Sequence, residues 1–319
     1  MSDPRALAER LASLPVRVSG IRCRSGRLAM PEYPGGRPST LLELSGEGCA
    51  GYGENVAFTD GEQQAFLHGV EGMFARAAGL VRSMLRPGLK PYDRAALEAA
   101  LIDLALRQAG VGLRDLCGVE AAPLRWVRSF AARPDAAAHG HALGGELKVD
   151  VDPSWPESAI IALSREAVAI LDFKEAGTAE MCGRLASAFP HALFEDPPAG
   201  CAHARVARDR PLASEADVAA AVARGEWVNV KAPRLGGVLA ALEALALARP
   251  SAYFGGMFEV GPGREQARQL AALFCADAPN DLGPLDGALS SMSGDSPSLI
   301  RLDGVGFGAT CDWSQLAPA

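Results

Sequence analysis

The feature that most constrains the fold begins near residue 124, where short apolar segments start to alternate with longer stretches of helical pattern. Such alternation is typical of βαβ units, whose strands form a parallel sheet. Seven such segments suit a closed (β/α) barrel, a fold of about 250 residues, and a chain of 319 residues leaves room for an added lobe. The predicted strands are LRWVRSF (124–130), ELKVDV (146–151), VAILDF (168–173), HALFED (191–196), ARVARD (204–209), WVNVKA (227–232) and AYFGGMFE (252–259).

The first part of the chain has a different pattern. Residues 15–59 contain the β-patterned runs VRVSGIRC and STLLELSG, separated by the turn-rich segment PEYPGGRPS and followed by GYGENVAF, which together indicate an antiparallel sheet. Residues 61–85 and 93–110 are predicted helices. We therefore predict an α/β protein with an α+β capping domain at 1–118 and a modified TIM-type (β/α) barrel at 119–319, whose C-terminal tail could pack back on the cap.

Composition narrows the function. The net charge is −7, with no basic stripe, and no apolar run reaches the ~18 residues that would span a bilayer, so neither a nucleic acid nor a membrane is an expected partner. The N-terminal residues do not resemble a signal peptide, and we expect a cytoplasmic protein acting on a small molecule. The seven scattered cysteines are expected to be reduced, packed thiols. The sequence does not decide the oligomeric state, and a homo-oligomer is one alternative.

Acidic residues close three successive predicted strands. They are Asp172, Glu195 and Asp209. Side chains at the C-terminal ends of barrel strands meet at one mouth, where three carboxylates repel one another unless a hard cation neutralises them. Mg²⁺, with Mn²⁺ as an alternative, suits such oxygen ligands.

Lysines lie near other strand ends, at Lys148, Lys174 and Lys231. Because strand side chains alternate with period two, Lys174 should share a face with Asp172, and Lys148 with Asp150. A lysine beside a metal could remove a proton from the carbon next to a substrate carboxylate, while the metal stabilises the enediolate. A single charged residue at a strand end is more often solvated or ion-paired than functional. The catalytic interpretation therefore rests on the whole set of residues.

The motifs resemble those of the muconate lactonizing enzyme, mandelate racemase and o-succinylbenzoate synthase branch of the enolase superfamily, over nearly the whole chain. The similar segments are GYGENVAF, ALEAALIDLALRQAGVGLRDLCG, LFEDPP, VNVKAPRLGG and FGGMFEVGPGR. The resemblance implies a capping domain and barrel, with Asp172, Glu195 and Asp209 as metal ligands and Lys231 as the lysine on the far side of the substrate. It also implies a substrate-binding role for Asp150, Gly256, Glu259 and Gly261.

The sequence departs from the family pattern at the other lysine. Where the family has K-x-K, this chain has Lys148-Val149-Asp150, and Lys174 replaces the usual Asn after the first metal Asp. Either Lys148 or Lys174 could supply the missing base. Asp209 keeps the family's spacing to Asp217, while Glu215 competes as the third ligand, and the stretch from Glu195 to Asp209 is too short for a full helix.

Three further segments have a weaker functional interpretation. The loop AAAHGHALGG contains His139 and His141 but no further zinc ligands. The acids of DAPNDLGPLD could reach the barrel mouth from a predicted loop. The loop PEYPGGRPS and Glu54 could close over the substrate, as capping loops of the family do, or form a surface hairpin.

The resemblance predicts metal-dependent abstraction of the proton α to a carboxylate. Dehydration of the o-succinylbenzoate synthase type is favoured, because only the Lys231 face keeps its usual residue and syn-dehydration can proceed from one base. The alternatives are a racemase or epimerase of an amino-acid or dipeptide-like substrate, and a catalytically degenerate binding protein. A flavin or phosphate barrel without metal is a further alternative, since the glycines of GGMFEVGPGR could cradle an anion.

Overall fold

A computed structural model describes residues 3–30, 33–71, 73, 77–119, 122–259, 261–283 and 304–307. Its first part is the predicted α+β unit, with a three-stranded antiparallel sheet in the order β2-β3-β4 and a separate antiparallel pair, β1-β5. The elements are α1 (Pro4–Ala12), β1 (Pro15–Val18), β2 (Gly20–Met30), β3 (Tyr33–Gly46), β4 (Cys49–Asn55), α2 (Asp60–Val70), β5 (Ala77–Leu80), α3 (Val81–Met84), α4 (Pro91–Ala109) and α5 (Leu113–Cys117).

The second part is the predicted barrel, with seven parallel strands that lie side by side in chain order from β6 to β12. The fold class predicted from the alternation is confirmed. The elements are β6 (Arg128–Phe130), α6 (Ala136–Leu143), β7 (Leu147–Asp150), α7 (Glu157–Leu163), β8 (Val168–Asp172), α8 (Ala179–Ala188), β9 (Leu193–Glu195), β10 (Val206–Arg208), α9 (Glu215–Ala223), β11 (Trp227–Val230), α10 (Ala232–Leu235), α11 (Val238–Ala248), β12 (Ala252–Phe254) and α12 (Pro262–Phe274).

Two residues after α12 join the edge strands of this sheet. The amide of Val127, just before β6, donates to the carbonyl of Asn280 (2.9 Å), and the amide of Asp281 donates to the carbonyl of Phe254 in β12 (2.8 Å). Residues 280 and 281 thus form parallel bridges to both edges. They close the barrel in place of a longer eighth strand.

Helix α4 is the centre of the molecule, and its residues 95–106 are all buried. It packs on β4 on one side and on α10, α11 and α12 of the barrel on the other. Glycines in GYGENVAF allow the close approach, because a Cβ at Gly51 would lie 2.2 Å from the amide nitrogen of Leu104 and one at Gly53 would lie 2.1 Å from the carbonyl of Ala96. The end of the described chain also reaches α4, where the amide of Phe307 donates to Asp103 (2.8 Å).

The structure differs from the sequence predictions in local elements. The predicted helix at 61–85 ends at Val70, because Ala77–Leu80 pairs with β1 as β5 instead. The segment AAAHGHALGG is mostly the helix α6, stabilised where Gly140 packs against Leu147 and Phe130. Much of PEYPGGRPS belongs to β3, with residues 31 and 32 outside the described residues. Every residue between β9 and β10 is described, and no helix lies there, as predicted.

The prediction of reduced thiols is wrong for one pair, since Cys182 of α8 and Cys201 of the loop after β9 form a disulfide. Their Cα atoms are 5.5 Å apart, within the range that a disulfide spans. Cys311 lies outside the described residues. None of the described helices is long and apolar enough to cross a membrane.

Candidate active site

The three predicted acidic residues lie at the carboxyl ends of neighbouring strands. Asp172 ends β8, Glu195 ends β9, and Asp209 directly follows β10. Asp172 and Glu195 are partners in the parallel register, and all three side chains are buried. The barrel therefore concentrates three carboxylates at its mouth, away from water.

Lys148 extends from β7 into this group of acids. Its Nζ lies 2.5 Å from Oε1 of Glu195, 3.3 Å from Oδ2 of Asp172 and 3.2 Å from Oδ2 of Asp281. Burial alone would lower the pKa of Lys148, but the surrounding carboxylates raise it well above its usual value. Lys148 is thus an ammonium ion in the centre of the acidic cluster.

The second oxygen of Glu195 faces two neutral donors. Nδ2 of Asn229 donates to Oε2 at 3.1 Å, and the Tyr253 hydroxyl donates to the same atom. Burial raises the pKa of Glu195 to about 8; Lys148 opposes that rise, and the carboxylates of Asp172 and Asp209 add to it. The contacts of Glu195 come from three donors, which satisfy a carboxylate better than a neutral acid.

Asp209 is paired with two basic groups. Its Oδ2 lies 2.7 Å from Nζ of Lys231, which directly follows β11, and its Oδ1 lies 2.7 Å from Nη1 of Arg234 in α10. Burial would raise the pKa of Asp209, but the charges of Lys231, Arg234 and Lys148 outweigh burial and lower it. Asp196 positions this acid, since its carboxylate accepts the backbone amides of Asp209 (3.1 Å) and Arg210 (2.8 Å).

Lys174 and Asp150 complete the mouth on the side of β7 and β8. Nζ of Lys174 lies 2.7 Å from Oδ1 of Asp150 and 2.8 Å from Oδ2 of Asp172. Burial would lower the pKa of Lys174, but these two acids raise it. The Lys174 side chain is 50% exposed, whereas that of Lys148 is 4% exposed. Of these two lysines, Lys174 is the one that a ligand at the mouth can reach.

The predicted substrate segment after β12 makes contacts of a different kind. Glu259 is buried 3.9 Å from Nη1 of Arg264, and the amide of Gly261 donates to Oε2 of Glu54 (3.2 Å). A Cβ at Gly256 would lie 2.2 Å from Nη1 of Arg264. These contacts fix the start of α12 against the capping domain, and a role in substrate binding stays a prediction for Gly256, Glu259 and Gly261.

The competing ligand Glu215 lies on the exposed first turn of α9, as predicted. Asp217 caps the same helix through Ser214 (2.7 Å). His139 and His141 lie on α6. None of these four residues contacts the acidic cluster in the described part of the chain.

The sequence interpretation assigned no role to five residues around the acids: Asp196, Asn229, Arg234, Tyr253 and Gly255. Asn229 carried a readable signal, because it lies two residues before Lys231 on one strand and so shares its inward face. Gly255 matters through what it lacks, since a Cβ there would lie 2.3 Å from Oδ1 of Asn229 and 2.7 Å from Cε of Lys231. Asp281 was only one of several acids in its segment.

These contacts decide how well a divalent metal fits. Each carboxylate oxygen of the predicted ligand set has a nitrogen or hydroxyl donor in contact, and Lys148 occupies the space between two of the acids. Among the described residues, no three acidic, histidine or cysteine side chains are grouped as metal ligands would be. The residues in this arrangement do not fit a resident Mg²⁺ ion.

Comparisons with known proteins identify the class of fold. The C-terminal domain of a family described as a domain of unknown function, DUF8230, matches residues 135–286. A crystal structure of an unknown member of the enolase superfamily from Enterococcus faecalis V583 is 19% identical, with a TM-score of 0.76, and the match covers 94% of this chain and 96% of that one. No curated protein matches the chain.

Two further solved structures are similar. A muconate cycloisomerase from Azorhizobium caulinodans is 20% identical with a TM-score of 0.72, and the match covers 95% of this chain and 98% of that one. A dipeptide epimerase from Enterococcus faecalis V583 is 19% identical with a TM-score of 0.71, over 85% of this chain and 92% of that one. The chain thus has the fold of the enolase superfamily, and the predicted resemblance is confirmed at the level of the fold.

Proposed function

We propose that this chain is an enzyme that removes the proton α to the carboxylate of a small molecule. The observation that carries the proposal is Lys231, a buried amine at the end of β11 that is held 2.7 Å from Asp209 beside Gly255. Gly255 lets the side chains of Asn229 and Lys231 approach its backbone closely, since a Cβ there would lie 2.3 Å from Oδ1 of Asn229 and 2.7 Å from Cε of Lys231. The Lys231 ammonium that pairs with Asp209 must first release a proton to water, and the neutral amine can then take up the substrate proton and become the paired ammonium again.

Lys174 supplies the positive charge that meets the substrate carboxylate. Its side chain is half exposed, and Asp150 and Asp172 hold its Nζ at the rim. Removal of the α-proton shifts negative charge onto the carboxylate oxygens, where a fixed ammonium lowers the barrier. Lys148 is a poor base, because its ammonium contacts three carboxylates and its pKa is raised.

Dehydration of the o-succinylbenzoate synthase type uses Lys231 alone, as base and then as acid on one face. A second candidate is racemisation or epimerisation of an amino-acid or dipeptide-like substrate. Lys174 favours this second candidate, since β9 and β10 separate its strand from that of Lys231, and its ammonium could return a proton to the substrate on the face opposite Lys231. Solved structures of a dipeptide epimerase and an L-Ala-D/L-Glu epimerase have similar folds, which supports the same candidate.

Deuterium exchange tests the proposal on several classes of carboxylate at once. The chain is incubated in D₂O with a panel of succinyl-substituted carboxylic acids, N-succinyl amino acids and dipeptides, and NMR follows loss of the α-proton signal. We expect exchange in at least one compound, its loss in Lys231→Met, and its retention in Lys90→Met, which removes an exposed lysine before α4. No exchange in any compound would favour a binding protein, as the self-paired charges of the mouth allow.

Divalent metal is the rival source of charge stabilisation, since three acids do lie on successive strands. The same assay is therefore run after treatment with EDTA and again with added MgCl₂ or MnCl₂. Exchange that depends on added metal would assign the stabilising charge to the ion, and exchange that persists in EDTA would assign it to lysine.

A further inference from the structure

We propose that the ammonium of Lys148 replaces the divalent cation in this barrel, so that the acidic cluster is assembled and neutralised without metal. The inference builds on the proposed function, but it concerns what holds the acids together and can be tested apart from any substrate. Lys148 is the central residue because it contacts acids from three different places in the barrel: β8, β9 and the closing residues 280–281.

Carboxylate oxygens surround the ammonium of Lys148. Its Nζ donates a hydrogen bond to Oε1 of Glu195 at 2.5 Å and lies within ion-pair distance of Asp281 (3.2 Å) and Asp172 (3.3 Å). The side chain is 4% exposed, so water does not compete for these contacts. A metal ion among Asp172, Glu195 and Asp281 would have to displace the ammonium, because two cations cannot share one buried position.

The remaining oxygens are also occupied. Oδ1 of Asp172 accepts the backbone amide of Lys174 (3.1 Å), and Oε2 of Glu195 accepts from Asn229 and Tyr253. Asp209 is held by a lysine and an arginine, one on each oxygen. Mg²⁺ requires oxygen ligands at about 2.0–2.1 Å in a near-octahedral arrangement, and these donors leave no set of oxygens turned toward one point.

The ion pairs of the site support the same conclusion. Each of five carboxylates lies within ion-pair distance of at least one of four side-chain cations, so its counter-charge comes from the chain: Asp150, Asp172, Glu195, Asp209 and Asp281 face Lys148, Lys174, Lys231 and Arg234. Buried carboxylates are stable only when paired, and here the pairing comes from the chain itself.

This arrangement assigns different roles to two lysines. Lys148 is a positioning residue, since it is buried among the acids and fixes their directions. Lys174 is the cation exposed at the rim, where a substrate carboxylate can bind. Lys174 stands where the family usually has Asn, and Asp150 stands where it has its second lysine. These two departures are coupled, because Nζ of Lys174 lies 2.7 Å from Oδ1 of Asp150.

Direct metal binding tests the inference. The full chain is treated with EDTA, dialysed and titrated with Mn²⁺, with free Mn²⁺ measured by electron paramagnetic resonance, and with Mg²⁺ by calorimetry. We expect no stoichiometric binding by the wild-type chain at millimolar ion, and no rise in melting temperature. Saturable binding of one Mn²⁺ per chain, at millimolar or lower free ion, would overturn the inference.

Substitution of the lysines provides the second arm. Lys148→Met removes the central charge and should tighten Mn²⁺ binding at least ~tenfold, since the acids then lack their ammonium. Lys174→Met, which removes a lysine at the exposed rim, is the matched control and should change Mn²⁺ binding less. Equal tightening in both variants would contradict a central role for Lys148, and if Lys148→Met does not fold, the wild-type titration still decides.

The metal-binding test and the proton-exchange test can refute the two proposals independently. A chain that binds no metal and exchanges no α-proton keeps the lysine replacement and loses the proposed enzyme function. A chain that binds Mn²⁺ and exchanges α-protons keeps the function and loses the replacement.

Discussion

Nζ of Lys148 and the carboxylate of Asp281 lie 3.2 Å apart, although Lys148 belongs to β7 and Asp281 follows α12. Asp281 is also one of the two residues that close the barrel, through its bond to the carbonyl of Phe254. Asp281 therefore links the closure of the barrel to the acidic cluster through Lys148. The buried ion pairs of the mouth should contribute to the stability of the whole second domain.

Lys148→Met should destabilise the chain strongly. The substitution leaves Glu195 and Asp172 buried without their common cation, and loss of one partner from a buried ion pair costs about 3–5 kcal/mol. Lys174→Met, whose side chain is half exposed, should cost less than about 1 kcal/mol. Urea unfolding monitored by circular dichroism measures both free energies, and similar losses in the two variants would contradict the central position of Lys148.

Gly255→Ala should impair the site while leaving most of the fold intact. The added methyl group would lie 2.3 Å from Oδ1 of Asn229, so Asn229 and Lys231 must move. A displacement of about 1 Å in a catalytic group can reduce the reaction rate about 100-fold. Gly183→Ala is the control, since a Cβ there has open space on α8 and an alanine favours the helix. The α-proton exchange rate is the measurement, and equal rates in the two variants would argue against a role for the close approach of Asn229 and Lys231 to residue 255.

The sequence predicts the barrel well, because each strand is a short apolar run and the strand order follows the chain order. The acids at the ends of β8 and β9 could be placed at one mouth for the same reason, since parallel strands present their carboxyl ends together. Asp172 and Glu195 need only the register of neighbouring strands to become adjacent.

The ion pairs could not be predicted in the same way. Lys148 could have pointed to several acids, and its contact with Asp281 depends on barrel closure, which no local pattern encodes. Tyr253 follows an alanine in an apolar strand, where its ring is typical of a core residue and its hydroxyl gives no sign of a partner. The disulfide also depends on tertiary structure, since the cysteine spacing alone favoured reduced thiols.

The disulfide between Cys182 and Cys201 should stabilise the loop that follows Glu195. It closes a loop with a sequence separation of 19, for which the entropy of the unfolded chain predicts about 3 kcal/mol. Cys182→Ser should lower the free energy of unfolding by that order, while Cys49→Ser, at a half-buried free cysteine, should have a smaller effect. Alkylation of the unreduced chain followed by mass spectrometry should leave both Cys182 and Cys201 unlabelled, and labelling of either under those conditions would contradict the bond.

Ionisation of Glu98, at the contact between the capping domain and the barrel, should make the free energy of unfolding depend on pH. This buried residue of α4 accepts the backbone amide of Leu239 at 2.8 Å, and so caps helix α11 of the barrel from the capping domain. Burial raises the pKa of Glu98 to about 7. The hydrogen bond from the Leu239 amide and the charge of Arg94, 3.7 Å away, oppose this rise only in part. The unfolded chain has the ordinary value of 4.5.

The sign of the pH effect follows from these two values. Below the unfolded pKa the residue is protonated in both states and folding carries no penalty. As the pH rises toward the folded pKa, the unfolded state ionises first, so stability falls between about pH 4.5 and 7 and stays lower above it. The shift corresponds to a loss on the order of 3 kcal/mol.

Glu98→Gln should remove this dependence, because its amide oxygen can still accept the amide of Leu239 but the side chain does not ionise. We expect the variant to be less stable than wild type, or equal to it, near pH 4.5, and more stable at pH 8. Glu157→Gln, at the exposed start of α7, is the control and should follow the wild-type curve. Urea unfolding across this range measures the difference, and parallel curves for wild type and Glu98→Gln would show that Glu98 ionises alike in both states.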